Sequence, residues 1–320
     1  MNNFLDSCRE AIGASHVITN EADMASYLVD WRRRYTGRAQ AVLRPGSVDE
    51  VAALVRLCTE ARVPICPQGG NTGLVLGSVP DQSGRAVVLS LGRMNRIRDI
   101  DLINNTMTVD AGCILATIQQ AAEERDRLFP LSLGAEGSCT IGGNLSTNAG
   151  GTGVLRYGNT RELCLGLEVV TAQGEVWEGL RGLRKDNTGY DLRDLFIGSE
   201  GTLGIITGAV IKLFPRPKAT LTALAAMQTT DAALKLLTMA QQQCGATLTG
   251  FELMSQFCLE LVAKHYPQMH APFQQPYPQY VLLELSDNES EEHAMAMLEA
   301  LITSALEDET LQDAVVAGSI

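Results

Sequence analysis

The chain is poor in the side chains that most often carry acid–base and metal chemistry. It has four histidines in 320 residues, and its eight cysteines contain no C-x-x-C pair. A disulfide framework or a structural zinc site requires clustered cysteine spacing, so this pattern argues against both. We therefore predict that the cysteines are reduced and act as small core residues.

Two common nucleotide-binding motifs are also missing. The nearest match to G-x-G-x-x-G is Gly151-Thr-Gly153, which has Arg156 where the third glycine should be, and no Gly-Lys dipeptide occurs. The sequence therefore supports neither a Rossmann fingerprint nor a P-loop.

Charge and hydropathy argue against two further classes of partner. The net charge is −12, whereas non-specific nucleic-acid binding depends on lysine and arginine neutralising phosphates. No segment approaches the ~18 apolar residues of a membrane span. The first residues lack the basic and apolar blocks of a secretory signal. We therefore expect no nucleic-acid partner, no membrane span and a cytoplasmic location.

Glycine, by contrast, is concentrated in two loops, Pro67-Gln-Gly-Gly-Asn-Thr-Gly-Leu74 and Cys139-Thr-Ile-Gly-Gly-Asn-Leu-Ser-Thr-Asn-Ala-Gly-Gly151. Glycine lets the backbone approach an anion closely and adopt positive φ, so successive N–H groups can form a phosphate-binding nest. In an acidic chain, such local dipoles must attract the phosphate, because the overall field repels it. The two loops together predict a cofactor that carries a diphosphate.

The hydrophobic pattern predicts two α/β subdomains followed by a second domain. A βαββ unit spans residues 41–91, with its helix starting at the capping box Ser47-Val-Asp-Glu50. A second subdomain runs to Pro215-Arg-Pro217, where two prolines prevent regular continuation. Residues 219–320 alternate strand-like and helical segments, which predicts a mainly antiparallel sheet. The chain stops in an apolar, strand-like segment without a closing element, so we expect this domain to be truncated.

Three segments identify a family by resemblance. Residues 67–74, 134–151 and Gly198-Ser-Glu-Gly-Thr-Leu-Gly-Ile-Ile-Thr207 resemble the FAD-binding domain of vanillyl-alcohol-oxidase (PCMH-type) flavoproteins, in the branch of the D-lactate, glycolate and D-2-hydroxyglutarate dehydrogenases. The resemblance implies an α+β fold, with a two-subdomain FAD-binding domain and an incomplete antiparallel-sheet cap. The implied domains are a helical segment at 1–34, the FAD-binding domain at 35–217 (subdomains about 35–105 and 106–217), and a partial cap at 218–320.

The same resemblance implies which residues bind FAD. They are Pro67, Gln68, Gly69, Gly70, Asn71, Thr72, Gly73, Leu74, Gly137, Ser138, Thr140, Ile141, Gly142, Gly143, Asn144, Thr147, Asn148, Gly150, Gly151, Gly153, Gly201, Gly204, Ile205 and Ile206. Many relatives attach FAD covalently through a histidine in the first loop. Here Asn71 follows Gly69-Gly70, which predicts non-covalent FAD.

The resemblance also implies a reaction. Oxidising an α-hydroxy acid requires a base, a cation for the carboxylate and a flavin N5 that accepts hydride. The family's arginine, lysine and paired-histidine motifs match no residue of this chain, so the catalytic residues are unknown and any divalent metal would belong to sequence beyond Ile320. The expected partners are a small 2-hydroxy acid and a separate electron acceptor; a homodimer is left open.

Few residues of the chain itself are candidates for this chemistry. His265 and His270 are close in sequence, but Pro267 prevents the helical spacing of metal-binding pairs. Glu252 and Glu284 lie in apolar runs and could face a site, although the pattern favours solvent. Two other functions stay open: another FAD-linked oxidase of the superfamily, such as a sugar-lactone oxidase, and a non-catalytic FAD-binding fragment or subunit.

Overall fold

The computed structural model describes residues 2–269 and 272–317. His270 lies outside the described residues. The chain forms two compact units. The first contains residues 1–129, 133–149 and 159–214, and the second contains residues 130–132, 150–158 and 215–320.

The helices of the described residues are α1 Asn2–Ile12, α2 Glu21–Leu28, α3 Val48–Ala61, α4 Leu115–Glu123, α5 Ile141–Ser146, α6 Val154–Tyr157, α7 Arg193–Phe196, α8 Thr230–Cys244, α9 Gln256–His265 and α10 Glu291–Glu307. The strands are β1 Val17–Ile18, β2 Val42–Leu43, β3 Ile65–Gln68, β4 Val87–Ser90, β5 Ile97–Asp101, β6 Thr106–Asp110, β7 Arg127–Leu128, β8 Cys164–Thr171, β9 Val176–Gly179, β10 Gly204–Lys212, β11 Phe214–Pro215, β12 Ala219–Met227, β13 Leu248–Ser255, β14 Gln279–Asp287 and β15 Asp313–Val316. None of these helices is long and apolar enough to cross a bilayer.

The first sheet of unit one has the order β1-β2-β4-β3. The pairs β2/β4 and β3/β4 are parallel, and β1/β2 is antiparallel. Helix α3 starts where the capping box predicts, because the Ser47 hydroxyl accepts the Glu50 N–H at 3.2 Å. The Glu50 carboxylate, however, accepts the N–H of Gly46 at 2.7 Å rather than that of Ser47. This sheet places the first glycine loop directly after β3.

The second sheet of unit one is antiparallel, with the order β5-β6-β10-β8-β9. Its interior contains an ion cluster that the sequence pattern did not predict. Arg98 contacts Asp110 at 2.6 Å and Glu168 at 2.8 Å, and the Thr207 hydroxyl donates to Glu168 at 2.9 Å. Burial raises the pKa of Asp110, but hydrogen bonds from Arg98 and a neighbouring arginine outweigh it and lower the pKa overall. The carboxylate is therefore ionised inside the sheet.

Unit two is built on an antiparallel sheet with the order β13-β14-β12-β15. Helices α8 and α10 pack against one face of this sheet. The buried cluster on that face includes residues at alternate positions of the two central strands: Leu221, Ala223 and Ala225 of β12, and Val281, Leu283 and Leu285 of β14. The predicted α+β architecture is thus confirmed for both parts of the chain.

The cysteines are free thiols. Burial raises the pKa of Cys58 to about 12 and that of Cys8 to about 11. Their prediction as core residues is wrong for Cys258, which is exposed, and incomplete for Cys66, which is only half-buried.

Candidate cofactor-binding site

The first glycine loop is anchored by two polar side chains. The Gln68 amide, at the end of β3, donates to the carbonyls of Tyr27 at 2.9 Å and Ser78 at 2.8 Å. The Asn71 amide donates to the Val29 carbonyl at 2.9 Å and accepts the Ser78 hydroxyl at 2.8 Å. The Asn71 backbone adopts φ 52°, which asparagine tolerates better than most residues. The loop is therefore held from one side by the protein.

The other side of the loop offers free donors. Over the parts of the chain that the structure describes, the backbone N–H groups of residues 69–74 make no hydrogen bond to another protein group. Residues 69–72 are half-buried, and Gly73 and Leu74 are exposed. Because residues 69–72 are only partly buried, solvent or a ligand must pair these N–H groups. This row of donors suits an anionic acceptor.

The second glycine segment folds into a short helix rather than an open loop. In α5, the Ile141 N–H donates to the Cys113 carbonyl at 2.9 Å and the Gly142 N–H donates to the Ala111 carbonyl at 2.8 Å. These two donors are consumed by the protein, so they contribute no hydrogen bond to a phosphate. The buried Asn144 amide contacts the Cys139 thiol at 3.6 Å.

The first and second segments are packed against each other through their glycines. A β-carbon on Gly70 would lie 2.0 Å from the Ser138 carbonyl oxygen, and one on Gly69 would lie 2.3 Å from the Thr140 hydroxyl oxygen. Gly70 is therefore required by chain packing alone, whereas a rotation of the Thr140 side chain would relieve the contact at Gly69. A β-carbon on Gly73 or Gly137 would meet nothing within 4 Å, so the space beside those two residues is left open by the protein.

Thr140 has an unusual side chain. Among the residues that the structure describes, its hydroxyl oxygen is the one buried side-chain nitrogen or oxygen atom without a hydrogen-bond partner. A buried polar group in this condition costs about 1–3 kcal/mol. The orphaned hydroxyl lies beside the free donors of the first loop, and together they fit the oxygen-rich diphosphate of FAD.

The third glycine segment meets the first. A β-carbon on Gly201 would lie 2.8 Å from Cγ of Pro67, and Gly201 itself has φ 77°. Gly204 packs closely on Val169, and the side chains of Ile205 and Ile206 are buried in the β10/β8 pairing. These two isoleucines therefore present almost no surface to a ligand.

The remaining cofactor candidates are engaged within the protein. The Thr147 hydroxyl donates to the Gly143 carbonyl at 3.0 Å, and the Asn148 side chain accepts the Arg161 N–H at 3.0 Å. Gly150, Gly151 and Gly153 belong to unit two, where Gly151 packs against the main chain of Ser132. The assignment of FAD contacts to the individual residues stays a prediction.

The acidic and histidine candidates do not assemble a reaction centre. Glu252 is exposed, whereas Glu284 is half-buried and accepts the Thr249 hydroxyl at 2.8 Å, contrary to the solvent-facing orientation favoured by its pattern. His265 is exposed at the end of α9, and His293 is paired with Asp287 at 2.8 Å. Within residues 2–269 and 272–317, no cluster of His, Cys, Asp and Glu could hold a metal.

Two known domain families match the chain, one in its first part and one in its second. The family described as FAD binding domain matches residues 39–179, and the family described as FAD linked oxidases, C-terminal domain, matches residues 216–319. A probable mitochondrial D-2-hydroxyglutarate dehydrogenase of Oryza sativa subsp. indica is 41% identical over 313 residues, covering 98% of this chain and 56% of the relative. A D-2-hydroxyglutarate dehydrogenase of Xanthomonas citri pv. viticola is 39% identical over 313 residues, covering 98% of this chain and 65% of the relative. The chain thus spans about half to two thirds of these relatives.

Solved structures agree on the fold. Alkyldihydroxyacetonephosphate synthase gives a TM-score of 0.81 at 19% identity, covering 100% of this chain and 61% of that one. Substrate-bound p-cresol methylhydroxylase gives a TM-score of 0.78 at 19% identity, covering 98% of this chain and 65% of that one. The fold and the two matched families together identify an FAD-binding domain followed by a C-terminal domain of the kind found in FAD linked oxidases.

Proposed function

We propose that the chain provides the FAD-binding domain and part of the substrate domain of a D-2-hydroxy acid dehydrogenase that holds FAD non-covalently. The observation that carries the FAD assignment is the row of free N–H groups at residues 69–72 beside the unpartnered hydroxyl of Thr140. The relatives named D-2-hydroxyglutarate dehydrogenases support the substrate class.

In this proposal, the N–H groups of residues 69–72 donate to diphosphate oxygens and the Thr140 hydroxyl donates one further hydrogen bond. Gly73 and Gly137 keep the adjacent space free of side chains. Asn71 is already bonded to Val29 and Ser78, so it fixes the loop rather than bonding covalently to the cofactor. When bound, FAD supplies the acceptor for the hydride removed from the α-carbon of the hydroxy acid.

The substrate side rests on the relatives. We infer a hydroxy acid of the D-2-hydroxyglutarate, D-lactate or glycolate type and a separate electron acceptor, and we assign no catalytic residue. The cytoplasmic location and the homodimer stay predictions; several relatives are named mitochondrial.

Purified protein reconstituted with FAD and mixed anaerobically with hydroxy acids tests the function. We expect a yellow protein whose flavin absorbance bleaches with D-2-hydroxyglutarate, D-lactate or glycolate, with L-2-hydroxyglutarate as the control. Bleaching by a sugar lactone alone would instead support the other oxidase class. Failure to retain FAD would contradict the proposal as a whole.

The alternative that the sequence leaves open, a non-catalytic FAD-binding fragment or subunit, is separated by the same experiment. That alternative predicts a stable yellow protein that no hydroxy acid or lactone bleaches. In that case, the FAD assignment would stand and the dehydrogenase assignment would fall.

A further inference from the structure

The third glycine segment has an unusual backbone, strained at Glu200. Gly198 has φ 82°, Glu200 has φ 53° and Gly201 has φ 77°, so three of four consecutive residues adopt the left-handed region. For Glu200, which has a β-carbon, this conformation costs about 1–2 kcal/mol. Strained residues persist where the surroundings hold them, and they cluster at ligand clamps. Some contact must therefore hold this segment in place.

Arg161 makes such a contact just before the segment begins. Its Nη1 donates to the Asp194 carbonyl at 2.7 Å, and its Nη2 donates to the Ile197 carbonyl at 2.6 Å. The same guanidinium lies 3.6 Å from the Asp194 carboxylate. Charge-assisted hydrogen bonds of this kind are about twice as strong as neutral ones. One side chain thus holds the carbonyls of Asp194 and Ile197, which lie four residues and one residue before Gly198.

The backbone of Arg161 connects this clamp to α5. The Arg161 N–H donates to the Asn148 side chain at 3.0 Å. From the other direction, the Gly198 N–H donates to the Leu145 carbonyl at 3.0 Å and the Glu200 N–H donates to the Ser146 carbonyl at 2.9 Å. Arg161 and these two bonds therefore hold the strained turn against the end of α5.

Gly201 follows the turn that Arg161 contacts. Gly201 is half-buried against the ring of Pro67, the first residue of the loop whose N–H groups are free. A shift of residues 198–201 would move the wall of that loop. Sequence spacing gives no sign of this role, because Arg161 follows the second glycine segment and precedes β8 without any motif of its own.

We propose that Arg161 is a positioning residue for FAD: it holds residues 198–201 in their strained conformation before the cofactor arrives. The inference rests on the proposed FAD binding. Without the guanidinium, the segment would sample other conformations in the FAD-free protein and would have to be ordered upon binding. Ordering costs reduce affinity, so we expect the Kd for FAD to rise about tenfold or more.

The test compares Arg161→Gln and Arg161→Lys with the matched control Arg184→Gln. Arg184 also donates from one guanidinium to two carbonyls, those of Asn104 and Asn105, at 2.9 and 3.2 Å. Hydrogen exchange of the Gly198 and Glu200 amides is measured in the FAD-free protein, and the Kd for FAD is measured by calorimetry. We expect Arg161→Gln to speed exchange at both amides and weaken FAD binding, Arg161→Lys to do so partially, and Arg184→Gln to do neither.

Two results would overturn the inference: unchanged exchange at Gly198 and Glu200 in Arg161→Gln, or a loss of FAD affinity no larger than in Arg184→Gln. If Arg161→Gln does not fold, the same two readouts on Arg161→Lys decide. A wild-type protein that binds no FAD would instead refute the proposed function, while the exchange data would still report whether Arg161 orders the segment.

Discussion

The hydroxyl oxygen of Thr140 lies 2.3 Å from the position that a β-carbon on Gly69 would occupy. The contact joins the two glycine segments, yet the hydroxyl has no hydrogen-bond partner. An unpaired buried hydroxyl destabilises the FAD-free protein but can donate a hydrogen bond to bound FAD. Removing it should therefore affect stability and FAD affinity in opposite directions.

Thr140→Val should therefore separate the effect on stability from the effect on FAD binding. Removing an unpaired buried hydroxyl should leave the FAD-free protein as stable or up to about 1 kcal/mol more stable, while the FAD affinity falls about tenfold. Urea unfolding and calorimetry measure the two quantities. Thr160→Val is the matched control, because the buried Thr160 hydroxyl donates to the Ala149 carbonyl at 2.6 Å; it should lose stability without a specific loss of FAD affinity. Unchanged FAD affinity in Thr140→Val would contradict the assignment.

Two glycines of the first loop should differ in what they are needed for. Gly73→Ala meets no protein atom within 4 Å, so its stability should stay within about 0.5 kcal/mol while FAD binding weakens. Gly70→Ala places a β-carbon 2.0 Å from the Ser138 carbonyl oxygen and should cost about 1–3 kcal/mol of folding free energy. Thermal unfolding of the FAD-free variants, paired with FAD titration, checks both. Equal destabilisation by the two substitutions would refute the distinction.

The ion cluster of the second sheet should make a large contribution to stability. Asp110→Asn removes a fully buried carboxylate that lies 2.6 Å from the partly exposed Arg98. Breaking a buried pair costs about 3–5 kcal/mol, which urea unfolding would resolve. Asp99→Asn, at an exposed position of β5 next to Arg98, should change stability by less than about 0.5 kcal/mol. A small effect at Asp110 would mean that Glu168 alone satisfies the arginine.

Stability should depend on pH through His293. Its hydrogen bond to Asp287 raises the pKa of the imidazole above 6.5 in the folded state. The folded protein then binds the proton more tightly, so the stabilisation is fully present below the unfolded pKa and is lost as the pH rises through the folded value. Wild type should exceed His293→Gln in stability at about pH 5.5, and the difference should shrink by about pH 8.5.

Burial raises the pKa of Asp287, but hydrogen bonds from the backbone N–H groups of Glu289 and Ser290 and from the His293 side chain lower it overall. Its contribution is present above the unfolded pKa and is lost as the pH falls through the lowered folded value. The carboxylate thus stays ionised across the His293 measurement. A difference between wild type and His293→Gln that is constant with pH would show that the ion pair is not the cause.

Local sequence signals predicted much of the architecture. The start of α3 after Ser47 follows from side-chain capping, which acts within a few residues. Pro215 itself lies in the short strand β11, and the next long strand, β12, begins at Ala219, beyond Pro217. The alternating pattern after the break likewise predicted the antiparallel sheet of unit two. The glycine loops predicted a diphosphate cofactor because their composition is itself the physical requirement.

Other features depend on partners distant in sequence. Arg98 meets Glu168 across 70 positions, and Arg161 reaches Ile197 across 36. No local pattern encodes such contacts. The sequence also could not show that the N–H groups of Ile141 and Gly142 are already bonded to neighbouring carbonyls, because donor availability is a property of packing.

The packing of Gly70 has a consequence for evolution. Any side chain there collides with the backbone of Ser138 and Cys139 whether or not a flavin is present, whereas the close contact at Gly69 is with the rotatable Thr140 hydroxyl. A descendant that lost its cofactor would still be selected to keep Gly70 in order to fold. Drift at Gly73, Gly137 and Thr140 would be the earlier sign that flavin binding has been abandoned.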